Sequence, residues 1–163
     1  PLPVTYLSFP SSKDPNAEKV HPGFSTMEAI TVANWSDFSK WQNLPWKKRG
    51  ESYEKHKEEL SQQLLKTVYE HVPQAKDTLD YYELSTPLTV NSLANYSEGE
   101  MYGIEHTPER FRQRWLRPQT DIKKLFLTGQ DMLTVGVTSA MLSGFVTVSA
   151  ILKKNLIKEL LGK

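Results

Sequence analysis

Apolar and polar residues alternate along this chain in two periods. From Ser52 to Val72, Tyr53, Leu60, Leu64, Val68 and Val72 fall on one stripe, with Glu54, Lys55, Glu58, Glu59, Lys66 and Glu70 elsewhere. That spacing predicts an amphipathic helix, and Pro73 ends it. His56 and His71 read as residues of its surface. Val4 to Phe9 is short, apolar and partly β-branched, and Pro10 to Pro15 breaks it, which predicts a strand and a loop. Phe24 to Trp35 reads as a second strand able to pair with the first, with its apolar centre at Ala29 to Ala33. Leu79 to Leu84 has the composition of a third strand, and Thr86 with Pro87 starts a short turn or helix. Thr107 and Pro108 predict an N-cap and first helical position for a helix running to about Trp115.

The stretch from Leu125 to Gly144 predicts a short buried strand, a glycine turn and a helix beginning after Gly136. Asp131 falls in the turn. The N–H groups of Val137, Thr138 and Ser139 lie at a helix start, where backbone donors lack intrahelical partners, so the turn is a candidate ligand site. The helix continues to about Leu161. Met141, Phe145, Val148, Leu152 and Leu156 form a stripe expected to bury against a sheet. Gly136, Ala140, Ser143, Gly144 and Thr147 form a small-residue face that another backbone or a flat ring can approach.

Trp35, Phe38, Trp41 and Trp46 make the densest aromatic cluster. Packing of one amphipathic turn is preferred there over ligand stacking, because large aromatics dominate cores without any ligand. Lys47, Lys48 and Arg49 beside a glycine read as a solvated face.

Composition narrows the chemistry. The 163 residues fit one domain with a core. Twenty Lys plus Arg against 19 Asp plus Glu give no field that would favour nucleic acid. The absence of cysteine removes disulfides, thiolate metal sites and a Cys nucleophile, and favours a cytoplasmic setting. The four histidines lack metal-ligand spacing, so no metal is expected. No stretch has the roughly 18 uninterrupted apolar residues of a membrane span. The first residues lack a signal-peptide pattern and do not begin with Met, which marks the chain as a candidate fragment.

Taken in order, SFPSSKDP, HPGFST, YYELSTPLT, GEMYGIEH, LRPQTDIKKLFLTGQD and GVTSAMLSG resemble the carboxyl-terminal part of a known family. This is the retinol saturase, carotenoid isomerase and phytoene desaturase group of FAD-dependent oxidoreductases. The resemblance implies an α+β fold: a mixed sheet with flanking helices, as a partial substrate domain of a flavin amine oxidase-like fold, plus a final strand and a long carboxyl-terminal helix. Residues 1–98 would belong to the substrate domain and residues 99–163 to the segment returning to the FAD-binding domain. No G-x-G-x-x-G is present, so the pyrophosphate-holding unit is missing. FAD binding would then need the amino-terminal half of a parent flavoprotein as partner, and this chain alone is expected to be inactive.

By the same resemblance, Gly129 and Asp131 match positions near the ribityl and phosphate part of FAD, and Gly136, Val137 and Thr138 match the turn facing the flavin ring. Tyr102 and Gly103 match the segment beside the ring and the substrate tunnel. The implied substrate is a polyene, retinoid or carotenoid-like isoprenoid, reduced or isomerised, with His106, Tyr102 and Glu105 as candidate proton donors. Two other classes stand beside this one. One is an α+β interaction or scaffold domain that binds no flavin by itself. The other is a peripheral membrane contact through the final helix, with its stripe and lysines.

Overall fold

A computed structural model describes residues 2–162. The chain divides into two compact units, Pro1–Glu100 and Met101–Lys163. Its class is α+β, with a small two-stranded antiparallel sheet and several helices.

In the first unit, β1 (Thr5–Ser8) is followed by a short helix, α1 (Ala17–Val20), and by β2 (Glu28–Thr31). The two strands pair with Thr5 opposite Thr31 and Ser8 opposite Glu28. The pairing follows the sequence expectation, although β2 stops short of Val32. Two 3-10 turns, Trp35–Asp37 and Ser39–Trp41, then lead to α2 (Glu51–His71). Helix α3 (Pro87–Ala94) opens at Thr86, whose N–H donates to Thr89 Oγ1 at 3.2 Å, and closes at Asn95 in the left-handed region.

Phe38, Trp41, Tyr53 and Leu88 form the core of this unit, with Trp35 and Leu60 packed against them. The aromatic cluster is therefore packing, as its spacing predicted, while Trp46 stays outside it. His56 departs from the surface reading. Its ring stacks on Trp41 at 5.4 Å and meets Phe38 at 5.4 Å, because it lies one turn beyond Tyr53 on the buried side of α2. Arg49 also departs from the solvated-face reading. It is buried, and its guanidinium donates to Leu88 O at 3.1 Å and Ser92 Oγ at 2.7 Å, tying the start of α2 to α3.

The Tyr53 hydroxyl and Thr86 Oγ1 lie 2.7 Å apart, both buried. Tyr53→Phe leaves Thr86 without this partner, and is expected to lower unfolding free energy by about 1–2 kcal/mol in denaturant titration. An unchanged midpoint would mean that Thr86 re-pairs within its cap.

The mixed sheet is corrected to two strands. Leu79–Leu84 has no regular structure and pairs with no strand among the described residues. Its β-prone side chains lack a pleated neighbour to pack on, which is where strand propensity arises. Instead Tyr82 donates to Glu58 at 2.8 Å and holds the segment to α2. Hydrogen bonds from Gln62 and then Tyr82 keep the Glu58 carboxyl below its ordinary range. This contact acts in full above the unfolded carboxyl's titration and is lost as pH falls through the lowered folded one.

In the second unit, α4 (Pro108–Phe111) is one turn, shorter than the expected run to Trp115, and the chain is irregular before Pro118. Pro118 disfavours helical backbone at the residue before it. The expected final strand shrinks to a single bridge, Gln119 to Phe126, and one bond from Leu127 N–H to Pro118 O at 2.8 Å. Side chains of the next helix, α5 (Val137–Leu152), take two more of its backbone groups. Thr147 Oγ1 donates to Leu127 O at 2.8 Å, and Ser143 Oγ accepts from Gly129 N–H at 2.6 Å.

The long closing helix is two helices. Lys153 turns left-handed, and α6 (Leu156–Leu161) restarts where Asn155 Oδ1 accepts from Lys158 N–H at 2.9 Å. The small-residue face of α5 receives the backbone of residues 127–129. The apolar stripe does not bury against a sheet: Met141, Val148 and Leu152 are exposed, and Phe145 and Leu156 are half-buried. Met132 is the one large apolar side chain in this unit buried among the described residues, so the unit is held mainly by polar contacts.

Candidate functional site

Those polar contacts centre on Arg110. Thr107 starts α4, its Oγ1 accepting from Arg110 N–H at 3.3 Å, and Pro108 takes the first helical position. One turn of helix then turns the Arg110 side chain inward, leaving it 5% exposed. Nη1 donates to Ile104 O at 2.9 Å. Nη2 reaches Gln130 O at 3.1 Å, Asp131 O at 2.8 Å and Leu133 O at 3.0 Å. One guanidinium thus gathers four carbonyls from two segments, as its planar fork allows.

Among the described residues no carboxylate pairs with this cation. Among the described residues the ion pair found is Arg112 with Glu109, exposed and 3.7 Å apart. Carbonyl dipoles and the His106 ring face the Arg110 charge, and its buried Nε has no hydrogen-bond partner.

Two further ties join the same segments. Asp131 Oδ1 accepts from Ile104 N–H at 2.9 Å. The approach requires Gly103, which adopts φ +67° and where a Cβ would collide with the Asp131 carboxylate. His106 Nε2 accepts from Val135 N–H at 2.9 Å, with Arg110 Nη1 also 2.9 Å from it. A backbone N–H can only donate, so Nε2 is the acceptor of that bond, and Arg110 Nη1 lies 2.9 Å from Nδ1 as well.

The turn ends at Gly136, with φ +104°, and the first α5 bond runs from Ala140 N–H to Gly136 O at 3.0 Å. Val137, Thr138 and Ser139 precede it, and Gly136 provides no side-chain cap. Gly129 and Gly136, both at positive φ, have open space where a side chain would stand.

The sequence-derived site residues therefore fall into linked groups. Gly103 contacts Asp131, and His106 bonds the residue before Gly136. Gly129 is held to α5 by Ser143. Tyr102 is 60% exposed, Val137 is 89% exposed, and Glu105 and Thr138 are also exposed. The sequence reading missed Arg110 as the hub, whereas Ser143 and Thr147, the clasp on α5, lie on the small-residue face it expected another backbone to approach. The clasp had a signal, since two hydroxyls four residues apart in an apolar helix share a face.

All-trans-retinol 13,14-reductase of Danio rerio is 34% identical over 157 residues, covering 94% of this chain and 26% of that protein. The Rattus norvegicus protein of the same name is 34% identical over 162 residues, covering 98% of this chain and 27% of its own. This chain is homologous to part of the all-trans-retinol 13,14-reductases. It spans about a quarter of the length of these reductases. A Danio rerio protein named an inactive all-trans-retinol 13,14-reductase is also 34% identical, over 98% of the chain. Overall identity therefore does not separate active from inactive relatives. No family model matches the chain. No solved structure gives a significant match.

Ser143, 0% exposed, accepts from Gly129 and donates to Ala140 O at 2.6 Å. Ser143→Ala should cost about 1–3 kcal/mol by stranding the Gly129 N–H. Faster hydrogen exchange at Gly129 with α2 unaffected is the expected readout, and unchanged exchange would remove Ser143 from the clasp.

Proposed function

We propose that this chain is the carboxyl-terminal part of an FAD-dependent oxidoreductase that reduces or isomerises an apolar polyene, with a retinoid as the substrate class. Similarity to retinol reductases along 94–98% of the chain carries the reading. Under it, residues 1–98 contribute to a substrate domain of a flavin amine oxidase-like fold. Residues 99–163 return to the cofactor, and the amino-terminal remainder of the protein supplies the pyrophosphate site. The exposed stripe of α5 and the sparse apolar interior of the second unit support a covering partner of that kind.

The residues fit a flavin. Gly129 and Gly136 leave open space for a planar group to approach the backbone. Asp131 uses Oδ1 on Ile104, leaving Oδ2 to accept a ribityl hydroxyl. The amides of Val137 and Thr138 lie at a helix start, which stabilises negative charge. A reduced flavin, when bound, supplies hydride to a conjugated carbon. Of the candidate donors, Tyr102 is the proposed source of the proton, since it is exposed and matches the segment expected beside the ring and the substrate tunnel. His106 Nε2 is occupied by Val135 N–H and serves to hold the turn. Gly103 sets the backbone that carries Tyr102 toward the substrate.

The complete protein should purify with flavin absorbance and reduce all-trans-retinol when given a reductant. Tyr102→Phe should lower turnover about 10²- to 10⁴-fold with flavin retained, the usual size of a general-acid effect. A flavin-bearing protein whose Tyr102→Phe variant turns over normally would exclude the Tyr102 role. A second reading, a non-catalytic α+β scaffold, is favoured by the equal identity to the inactive relative. A colourless complete protein with no flavin affinity would support that reading.

A further inference from the structure

We propose that Arg110 is the positioning residue of the cofactor edge, acting through the turn carbonyls and through His106. The inference rests on the flavin reading above and adds to it a residue that never touches the flavin. Its guanidinium draws the carbonyls of Gln130, Asp131 and Leu133 to one point, while Nη1 holds Ile104 O. In a planar trans peptide the carbonyl and the following N–H point in opposite directions. Pulling these carbonyls inward therefore turns the amides of Asp131 and Thr134 away from Arg110.

The same Nη1 lies against His106, whose Nε2 fixes Val135 N–H at the last step before Gly136. Arg110 thus determines both where the Asp131 carboxylate stands and how the chain enters α5.

Two features go beyond simple bracing. Among the described residues no carboxylate stands within ion-pair distance of the cation, so its charge lies unpaired behind the turn that leads into an open helix amino end. The interior is also arranged for a fork rather than for a point charge. A lysine ammonium keeps the charge but cannot span Ile104 and Leu133 together.

The test uses the complete protein with FAD, comparing Arg110→Lys and Arg110→Gln with the exposed control Arg112→Gln. Arg110→Gln is expected to weaken FAD binding at least about tenfold, the value of one lost charge-assisted hydrogen bond. It should also lower the midpoint potential of the flavin that remains bound, because negative charge on the reduced ring loses a neighbouring cation. Arg110→Lys should weaken FAD binding and speed exchange at the Val135 amide while keeping a potential near the parent's. Arg112→Gln should change neither.

Arg110→Lys with parent-like affinity and Val135 exchange overturns the proposal, and remains decisive if Arg110→Gln does not fold. A lower melting temperature with unchanged affinity and potential in both variants marks a merely structural role and also overturns it. A parent protein that binds no flavin overturns the flavin reading itself, a result distinct from a flavin-binding parent with indifferent variants.

Discussion

Gly103→Ala is expected to lower the stability of the second unit by about 2–4 kcal/mol, through left-handed strain and the loss of a long-range, charge-assisted hydrogen bond. The strain arises at φ +67°, and it is the smaller part, about 1 kcal/mol. The larger part comes from Asp131, because the new methyl would occupy the place of its carboxylate and force it off Ile104 N–H. Gly23 provides the control. It has φ +75° with nothing within 4 Å, so Gly23→Ala incurs the conformational cost alone. A double-mutant cycle sharpens the result: in an Asp131→Ala background, Gly103→Ala should cost no more than Gly23→Ala. Equal costs with Asp131 present would mean that the carboxylate does not hold this turn. Unfolding followed by exchange at the Ile104 amide measures both parts.

Arg110→Met should be of comparable size, about 2–4 kcal/mol, and the sign follows from two opposed terms. Removing an unpaired buried cation relieves desolvation, which favours the variant. Leaving Ile104, Gln130, Asp131 and Leu133 carbonyls without their donor opposes it, and four acceptors outweigh one charge because Met offers no replacement. The effect should be local. Exchange at Met132 and Val135 should accelerate while Leu64 and Val68 of α2 stay protected, since the first unit has its own core. A stabilised variant would mean that the desolvation term dominates.

Both effects fall on residues whose part could be read only incompletely from the chain. Gly103 and Asp131 were singled out separately, each as a ligand neighbour, yet 28 positions separate them and nothing local says that they touch. Arg110 lay inside a predicted helix as an unremarked basic residue. Its role depends on carbonyls 20 to 23 positions ahead, and a carbonyl carries no sequence signature. The third strand failed for a related reason: Leu79–Leu84 has strand-forming side chains, but pairing needs a free edge beside it. The long helix failed locally, because Asn155 caps a new helix more readily than it continues an old one.

What the amino-acid order determined by itself was everything governed by local spacing and backbone chemistry. It set the amphipathic α2 with its stop at Pro73, the pairing of two short strands, the caps at Thr86 and Thr107, and a glycine turn opening α5. The ordered blocks likewise carried the kinship with retinol reductases, since a series of short matches survives where the overall pattern is weak. Only the tertiary structure decided which face of α5 is spoken for. The sequence offers a bulky stripe and a narrow face of small residues, and hydrophobicity favours burying the stripe. The fold seats Ser143 and Thr147 on the backbone of residues 127–129 instead, because those carbonyl and amide groups need partners, and leaves the stripe outward. It also placed the charge of Arg110 behind the turn, where long-range carbonyls, rather than any neighbour in sequence, make its burial tolerable.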